Sequence, residues 1–259
     1  MKWQALILAG SRGPDDPVAA AAGVEYKALA PVAGKPMIDH VIEALSGCKA
    51  VGTIAVSGPA GLPLPSDVVL TPSEATPASS VLAAFEQLDA PLLITTADNP
   101  LLSAATVQAF LEGLEGGSAD IAAAVSPKEI AERAGNPGRR TYLKFRDGPV
   151  SGCNLFAVRT QKGRGAIEFW RRLETQRKQP WRMALTIGPG ILSRYLAGLL
   201  AIDQAADAIG RRAGCIAATA SLSDPYAPHD VDRPEDLHFV EAVLTKRLSE
   251  ANARSDPCE

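Results

Sequence analysis

The chain has 259 residues, which is enough to bury the core of one large α/β domain or of two small ones. Its 26 basic and 29 acidic residues leave a formal charge of -3, so no overall attraction favours nucleic acid or an anionic membrane, and any affinity for phosphate must be local. The four cysteines are far apart and form no Cys-x-x-Cys pair, so neither a disulfide framework nor a zinc site is predicted.

An apolar run over residues 3–8 ends in the small loop Ala9-Gly10-Ser11-Arg12-Gly13. This pattern predicts a buried parallel strand whose carboxyl end opens onto a ligand site, and the N–H groups of such a loop can converge on phosphate oxygens. Arg12, Lys27 and Lys35 would add positive charge. The loop is not a Walker A loop, because proline follows Lys35, and it lacks the three glycines of a dinucleotide fingerprint.

The next segments predict alternating helices and strands. Two prolines, two aspartates and an alanine run in residues 13–26 predict a loop or a partly helical lid. Residues 37–45 carry apolar side chains at helical spacing and predict a helix that packs one face on the sheet. His40 lies on the other side of that helix, where an exposed histidine is favoured over a catalytic one. Two strands and a helix are then predicted over residues 51–56, 68–70 and 78–88.

A second nearly continuous apolar strand covers residues 91–96 and ends in Ala97-Asp98-Asn99. In a parallel sheet its carboxyl end is expected beside that of the first strand, which is where ligands bind in such sheets. Asp98 is therefore the leading candidate for a metal ligand. The alternative is a turn aspartate that caps local N–H groups.

The following region is predicted to be mainly helical. Residues 136–140 form an Asn-Pro-Gly-Arg-Arg turn whose arginines can meet a second substrate's phosphate, although solvated surface charge is the favoured interpretation. Helical patterns cover residues 165–177 and 181–214, with a break at Gly188-Pro189-Gly190. The apolar stretch 191–202 predicts a buried helix in preference to a lipid or subunit contact.

The last predicted strand, over residues 215–220, precedes a polar segment and a terminal helix. The polar segment contains Asp230-Val231-Asp232-Arg233-Pro234-Glu235. Asp232 is expected to cap the helix, with Glu235 at its third position, and this explains both residues structurally.

Three blocks of the chain, residues 5–37, 92–102 and 229–237, together resemble the nucleotidyltransferase superfamily that includes MobA-like, sugar-phosphate and CMP-sugar-forming enzymes. The matching pieces are Leu8-Ala9-Gly10-Ser11-Arg12, Lys27-Ala28-Leu29, Gly34-Lys35-Pro36-Met37, Ala97-Asp98-Asn99-Pro100-Leu101-Leu102 and Asp230-Val231-Asp232-Arg233-Pro234-Glu235-Asp236-Leu237. The loop before Lys27 departs from the family, because it is longer and contains Asp15 and Asp16. The resemblance implies a Rossmann-like, three-layer α/β/α fold of the GT-A-like nucleotidyltransferase type with a mostly parallel central sheet. It also implies a single NTP-transferase domain over residues 1–259, with a helical insertion at about 160–214.

The activity implied by this resemblance is magnesium-dependent transfer of a nucleoside monophosphate from a nucleoside triphosphate to a phosphorylated small-molecule acceptor, with release of pyrophosphate. The implied catalytic residues are Arg12, Lys27 and Asp98. Asp98 and Asp232 would hold Mg²⁺, with Asp230 as the substitute ligand. The nucleotide would contact Ala9, Gly10, Ser11, Arg12, Lys27, Ser79 and Ser80, although the two serines can equally cap a helix. Asn154 would contact the acceptor.

Two other functions stay open at the sequence level. One is a GT-A-like glycosyltransferase that uses a nucleotide-sugar, and the other is a catalytically silent nucleotide-binding protein. Neither the acceptor nor the base is fixed by the sequence, with cytosine and guanine slightly favoured, and a homo-oligomer is open. The sequence gives no sign of a nucleic-acid partner or of an integral membrane segment. Without a signal-peptide pattern or an apolar run of about eighteen residues, we expect a cytoplasmic protein.

Overall fold

Alternating strands and helices make up the computed structural model, which describes residues 2–10, 15–135, 140–176 and 179–255. The strands are β1 (Trp3–Leu8), β2 (Pro31–Val32), β3 (Lys35–Pro36), β4 (Val51–Gly58), β5 (Val69–Pro72), β6 (Leu92–Thr96), β7 (Ile121–Pro127), β8 (Leu143–Phe145), β9 (Gly148–Val158) and β10 (Ala217–Ser221). The helices are α1 (Pro17–Ala22), α2 (Met37–Ser46), α3 (Pro77–Leu88), α4 (Ala104–Glu112), α5 (Lys128–Ala131), α6 (Arg164–Gln176), α7 (Pro180–Ile187), α8 (Pro189–Leu196), α9 (Ile202–Ala213) and α10 (Pro234–Ser255). Short 3₁₀ turns lie at Lys27–Leu29, Glu132–Ala134 and Gln161–Gly163.

The central sheet of the described residues has the strand order β10-β7-β9-β6-β1-β4-β5, and β8 pairs with β9. The pairs β1–β4, β1–β6, β4–β5 and β7–β10 are parallel, whereas β9 runs antiparallel to both of its neighbours in this order. After β1 the chain forms β4 on one side of β1, and it later forms β6 on the other side of β1. The order of strands therefore reverses at β1, and a crevice at such a point is the usual ligand site of an open α/β sheet.

Apolar side chains on both faces of the sheet explain why helices cover both faces. Ala5 and Ile7 of β1 face a core cluster that includes residues of α2 and α4, while Leu6 faces a cluster with residues of α3 and α6. This alternation is the ordinary period of a strand that is buried on both faces. The predicted three-layer α/β/α fold with a mostly parallel sheet is confirmed.

A third apolar cluster holds the two ends of the described chain together. Val18 of α1 and Val240 of α10 lie in this cluster with Met37, Leu101 and Val231. Helix α10 follows the closing polar segment, so its packing fixes that segment against the sheet. This matters for the site, because the segment carries two of its carboxylates.

His40 and the stretch 191–202 differ from their predicted exposure. His40 is buried, because β2 lies over its side of α2, and its Nε2 atom is 2.9 Å from the Val32 carbonyl oxygen. The stretch 191–202 is not a buried helix. Its helical part, α8, packs only one side against α7, and Leu196 and Leu199 are 75% and 58% exposed. No helix in the described ranges is long and apolar enough to cross a membrane.

Candidate active site at the carboxyl edge of the sheet

The first part of the site is the edge where β1 and β6 end together. Leu8 is level with Thr96, and the Ala97 N–H donates to the Leu8 carbonyl oxygen at 2.9 Å. Ala9 is buried, whereas Gly10 is exposed, and a Cβ there would meet no atom of the described residues within 4 Å. The backbone of Gly10 is therefore open to a bulky ligand. Ser11 and Arg12 lie outside the described residues.

A lysine stands between two carboxylates at this edge. Lys27, in the 3₁₀ turn, lies with its Nζ atom 2.6 Å from Asp98 Oδ2 and 3.4 Å from Asp232 Oδ1. The two oxygens are therefore no more than 6.0 Å apart, the sum of these distances. The two aspartates are separated by 71 and 205 positions from Lys27, so only the fold brings the three residues together.

The charges at this edge influence one another. Burial by itself lowers the pKa of Lys27, but the charges of Asp98 and Asp232 and the hydrogen bond to Asp98 outweigh it, so the pKa of Lys27 is raised. Lys27 is therefore a permanent cation at neutral pH. The pKa of Asp230 is raised by burial and by repulsion from Asp98 and Asp232. Three carboxylates thus share the edge, and their mutual repulsion favours a cation there.

Asp230 links this edge to the far half of the sheet. Its Oδ2 atom accepts a hydrogen bond from Asn154 Nδ2 at 2.9 Å, and its Oδ1 atom lies 3.5 Å from Arg140 Nη2. Arg140 also donates to the Pro228 carbonyl oxygen. Asn154 has a φ of 48°, a left-handed conformation that asparagine tolerates at some cost. It stands beside the irregularity in the pairing of β7 with β9, which aims its amide at the carboxylates.

Backbone contacts hold the closing segment in place. The Val231 N–H donates to the Asp98 carbonyl oxygen at 2.8 Å. The N–H groups of Asp232 and Arg233 donate to Asp236 Oδ2 at 3.1 and 2.9 Å. The prediction that Asp232 caps α10 was therefore wrong, because Asp236 reaches back and supplies the capping carboxylate. The Asp232 side chain, 59% exposed, is left to face Lys27 and the site.

Comparison with known families agrees with this geometry. A family model described as the MobA-like NTP transferase domain matches residues 5–144. The chain belongs to this family. The resemblance seen in the sequence is confirmed, and the match covers β1, the Lys27 turn and Asp98.

Solved structures with the same fold as this MobA-like protein include several transferases. A hypothetical transferase from Thermus thermophilus is 29% identical, with a TM-score of 0.81 over 92% of this chain and 100% of that one. A CMP:2-keto-3-deoxy-manno-octonic acid synthetase complexed with CTP is 15% identical, with a TM-score of 0.56 over 95% and 100%. A 2-C-methyl-D-erythritol 4-phosphate cytidylyltransferase, also from Thermus thermophilus, is 18% identical, with a TM-score of 0.54 over 95% and 100%. The last two are similar in fold. Among curated proteins, none matches the chain significantly.

The carboxylates of the MobA-like site suit a hard cation. Asp98 Oδ1 is buried and accepts no hydrogen bond from any described residue, so it has a lone pair to offer. Mg²⁺ is usually held by one or two carboxylates together with waters and substrate phosphates. Asp98 and Asp232 form such a pair. The described residues contain no group of three or more His, Cys, Asp or Glu side chains arranged to hold a metal ion. The two carboxylates Asp98 and Asp232 fit Mg²⁺ that is shared with a substrate.

A small cavity of this MobA-like protein lies close to Ala9, at the carboxyl end of β1. It measures about 240 Å³, stands at the carboxyl ends of β4 and β5, and is lined by Gly58, Pro59, Ala60, Leu70, Pro72 and Ser73. Gly58 lies against the loop, since a Cβ there would be 3.5 Å from the Ala9 carbonyl oxygen. No sequence pattern pointed to these residues. The Gly/Pro-rich connection after β4 indicates turns, but only the register of β4 and β5 shows that the ends of the two strands meet.

The two serines proposed to contact a base lie in the first turn of α3, whose N-cap is Thr76. Thr76 Oγ1 accepts from the Ser79 N–H at 3.2 Å. Ser80 is buried, and its Oγ atom accepts from the Glu74 N–H at 2.8 Å. Ser79 is half-buried. Of the two, Ser79 therefore has the more accessible hydroxyl, and the contact with a base stays a prediction for both.

Several other polar residues have structural roles or positions that the sequence did not show. Lys35 pairs with Glu43 on α2. Asp16 is buried and caps α1, since its Oδ1 atom accepts from the Val18 and Ala19 N–H groups at 3.0 and 3.2 Å. Arg140, expected at the surface, has a side chain only 16% exposed and faces the site, because the Pro228 carbonyl oxygen and Asp230 draw it inward. Arg139 lies outside the described residues.

Proposed function

We propose that the protein is a magnesium-dependent nucleotidyltransferase. It moves a nucleoside monophosphate from a nucleoside triphosphate to a phosphorylated small-molecule acceptor and releases pyrophosphate. The observation that carries this proposal is the position of Lys27 between Asp98 and Asp232, at the sheet edge where β1 runs into the exposed Gly10. A fixed cation, an exposed glycine and two carboxylates are what a magnesium triphosphate requires.

The triphosphate is assigned to the loop after β1. The N–H groups of Ala9 to Arg12 and the charges of Arg12 and Lys27 would oppose the negative charge that develops on the leaving pyrophosphate. Lys27 is well suited to this role, because neighbouring carboxylates keep it protonated. Asp98 and Asp232 would hold Mg²⁺, which when bound supplies further neutralisation of the phosphate oxygens.

The acceptor is assigned to the opposite side of the carboxylates, where Arg140 and Asn154 face Asp230. A phosphate monoester has a second pKa of about 6, so its oxygens are largely ionised at neutral pH and attack needs no general base. An acceptor oxygen forms a bond to the α-phosphorus while the bond to the β-phosphate oxygen breaks. The buried His229, whose pKa is lowered to about 4 by burial and by Arg140, stays neutral and takes no proton in this scheme.

The nucleobase is assigned to the small cavity beside Gly58, because this cavity adjoins the phosphate loop. Cytosine is the first base to test, since two proteins of the same fold are a cytidylyltransferase and a synthetase complexed with CTP. We also propose that residues 1–259 form one NTP-transferase domain, in which 160–214 are an insertion. Packing of α6 on α3 and of α9 on β10 supports this division.

The test is thermal unfolding of the purified protein with CTP, GTP, ATP or UTP, each with and without Mg²⁺. A ligand at about a hundred times its dissociation constant adds roughly 2.7 kcal/mol, which raises the unfolding temperature by a few degrees. We expect one triphosphate to stabilise the protein only with Mg²⁺. Stabilisation by nucleotide-sugars alone would support a glycosyltransferase instead. If no nucleotide stabilises the protein, the proposal is wrong.

A further inference from the structure

A large apolar cavity lies under the helices on one face of the sheet. It measures about 360 Å³, and its walls are strands β7, β9 and β10 on one side and helices α6 and α9 on the other. Protein interiors contain few voids larger than a water molecule, whereas small-molecule sites typically measure about 300–1,000 Å³. This cavity is half open to solvent, and its size lies within the range of small-molecule sites.

Small side chains create this space where the sheet meets the helices. Alanines line it from both walls, among them Ala123 and Ala218 on the strands and Ala205 and Ala206 on α9. Larger side chains, such as Phe156 and Trp170, close its sides. Helix α9 packs closely on β10 at Gly210, where a Cβ would be 2.9 Å from Ala217 N. Beside this contact, the small alanine side chains leave space that a ligand can fill.

The residues that line the cavity indicate which class of ligand it can bind. None of the described residues that line the cavity is charged, and its polar side-chain groups are those of Asn154, Thr219 and the indole of Trp170. Such a surface offers few hydrogen bonds to a sugar or a pterin. It favours a hydrocarbon chain, which loses its contact with water on entry.

One residue belongs to both the cavity and the candidate active site. Asn154 lines the cavity, and its Nδ2 atom donates to Asp230 at the carboxyl edge of the sheet. The cavity therefore begins beside the acceptor side of the site. A molecule whose phosphate lies near Arg140 would therefore have this apolar space beside it for its other end.

We propose that the acceptor is an amphiphile, a phosphate attached to a prenyl or alkyl chain that fills this cavity. This inference rests on the proposed nucleotidyl transfer. In the reaction, an oxygen of the chain's phosphate bonds to the α-phosphorus of the triphosphate. The bond from that phosphorus to the β-phosphate oxygen breaks, and pyrophosphate leaves with the electron pair. The product is a nucleoside diphosphate joined to an apolar chain.

The apolar surface continues outward from the cavity. Phe145, in the lining, packs edge to face on Tyr195 of α8 with ring centroids 5.6 Å apart. Next to it, the hairpin of α7 and α8 exposes Trp181, Leu185 and Leu196 by 60%, 63% and 75%. An alkyl chain longer than the cavity thus has an exposed apolar surface on which to continue.

The test uses butyl, hexyl and octyl phosphate as acceptors, below the concentrations at which they form micelles, with glycerol 3-phosphate as the polar comparison. Pyrophosphate release is measured with the triphosphate that binds, and binding of each phosphate is measured by calorimetry without nucleotide. We expect the acceptor KM and the dissociation constant to fall about fourfold for each added methylene until the cavity is full, which follows from the transfer free energy of a buried methylene. Equal values for all chain lengths, or a preference for glycerol 3-phosphate, would overturn the inference.

Two variants test whether the alkyl chain of the acceptor lies in the cavity. Ala205→Phe fills the cavity from α9, and Asp207→Phe places the same side chain on the exposed side of that helix as a control. In Ala205→Phe the acceptor KM and dissociation constant should no longer depend on the length of the alkyl chain, while triphosphate binding stays unchanged. In Asp207→Phe the dependence on alkyl-chain length should remain. If Ala205→Phe does not fold, Ala218→Leu replaces it. A dependence on chain length that persists in the cavity variant contradicts the assignment.

The failures of the two proposals can be told apart. If no triphosphate binds but octyl phosphate binds to the native protein and not to Ala205→Phe, nucleotidyl transfer is wrong and the chain site stands. If pyrophosphate is released with short polar phosphates only, nucleotidyl transfer stands and the amphiphilic acceptor is wrong.

Discussion

Replacing Asp98 by asparagine should remove activity with little effect on stability. In the native protein Asp98 lies 2.6 Å from Lys27, and the loss of this contact, taken alone, would make the variant less stable. Loss of one partner of a fully buried pair costs about 3–5 kcal/mol, whereas an exposed pair contributes about 0–1 kcal/mol. Asp98 is 23% exposed, Lys27 keeps Asp232 as a partner, and neutralising Asp98 relieves its repulsion of Asp230. We therefore expect a change in unfolding free energy of less than about 1 kcal/mol.

The effect on turnover should be far larger. Asp98 is assigned both a metal contact, through an oxygen without a partner among the described residues, and the orientation of Lys27. An amide has neither the charge nor two equivalent oxygens, so both functions suffer. A fall in kcat/KM of about a thousandfold, which corresponds to roughly 4 kcal/mol, is expected from the loss of one preorganised electrostatic group.

Asp120→Asn is the matched control, because Asp120 is buried but lies away from the site. Its Oδ1 atom accepts from Thr160 Oγ1 at 2.5 Å, and its Oδ2 atom accepts from the Ile216 N–H at 2.8 Å. The hydrogen bond from Thr160, followed by that from Ile216, lowers the pKa of Asp120. The variant should lose about 1.5–3 kcal/mol of stability, a value typical of hydrogen bonds to a charged group, while activity per folded molecule stays unchanged.

The pH dependence separates the two variants further. Because the folded pKa of Asp120 is below its unfolded value of about 3.9, its contribution is fully present above that pH and is lost as the pH falls through the folded value. The difference between native protein and Asp120→Asn should therefore shrink below about pH 4. Urea unfolding followed by circular dichroism at several pH values measures it, and pyrophosphate release measures turnover. An Asp98→Asn variant that lost about 3 kcal/mol, or that kept its turnover, would refute the assigned roles.

Three further outcomes test other parts of the structure. Arg140→Gln should raise the acceptor KM about tenfold and leave the triphosphate KM unchanged in steady-state kinetics, since a single charged contact contributes about 1.4 kcal/mol or more. Gly210→Ala should lower stability by about 2 kcal/mol in urea unfolding, because its Cβ would lie 2.6 Å from the Cys215 carbonyl oxygen and 2.9 Å from Ala217 N. Trp181→Ser should change the unfolding free energy by less than about 0.5 kcal/mol, since the indole is 60% exposed.

The parts of the site that follow apolar strands could be predicted from the sequence. A strand that is buried on both faces is recognisable in the sequence as a continuous apolar run, and the residue after it must lie at the sheet edge. Asp98 and the loop after β1 could be located in this way. Lys27 and Asp232 came from the family resemblance, and the structure brings both to Asp98.

What the sequence could not supply was the identity of the elements that cover each surface. Helical spacing located the apolar face of α2, but not the hairpin of β2 and β3 that buries His40 on the other side. An apolar stretch does not reveal whether a partner element reaches it, so residues 191–202 were misassigned. Arg140 was taken for surface charge because its partner, Asp230, is 90 positions away. The alanines of the cavity lie on β7, β10, α6 and α9, and only the register of β7 with β10 and the packing of the two helices bring them together.

The distribution of unsatisfied groups argues that the carboxyl edge is built for a ligand. Six buried side-chain atoms lack a hydrogen-bond partner among the described residues, and four of them belong to Thr95, Thr96, Asp98 and Asn99, which are consecutive apart from Ala97. The buried Asp120, by contrast, has a donor for each of its carboxylate oxygens. A buried group without a partner costs about 1–3 kcal/mol, so a ligand that donates or accepts at the end of β6 should stabilise this edge. Asn154, left-handed at the same edge, adds backbone strain. Lower local stability at one edge of the sheet is expected of a binding site, and a bound nucleotide should raise the free energy of unfolding.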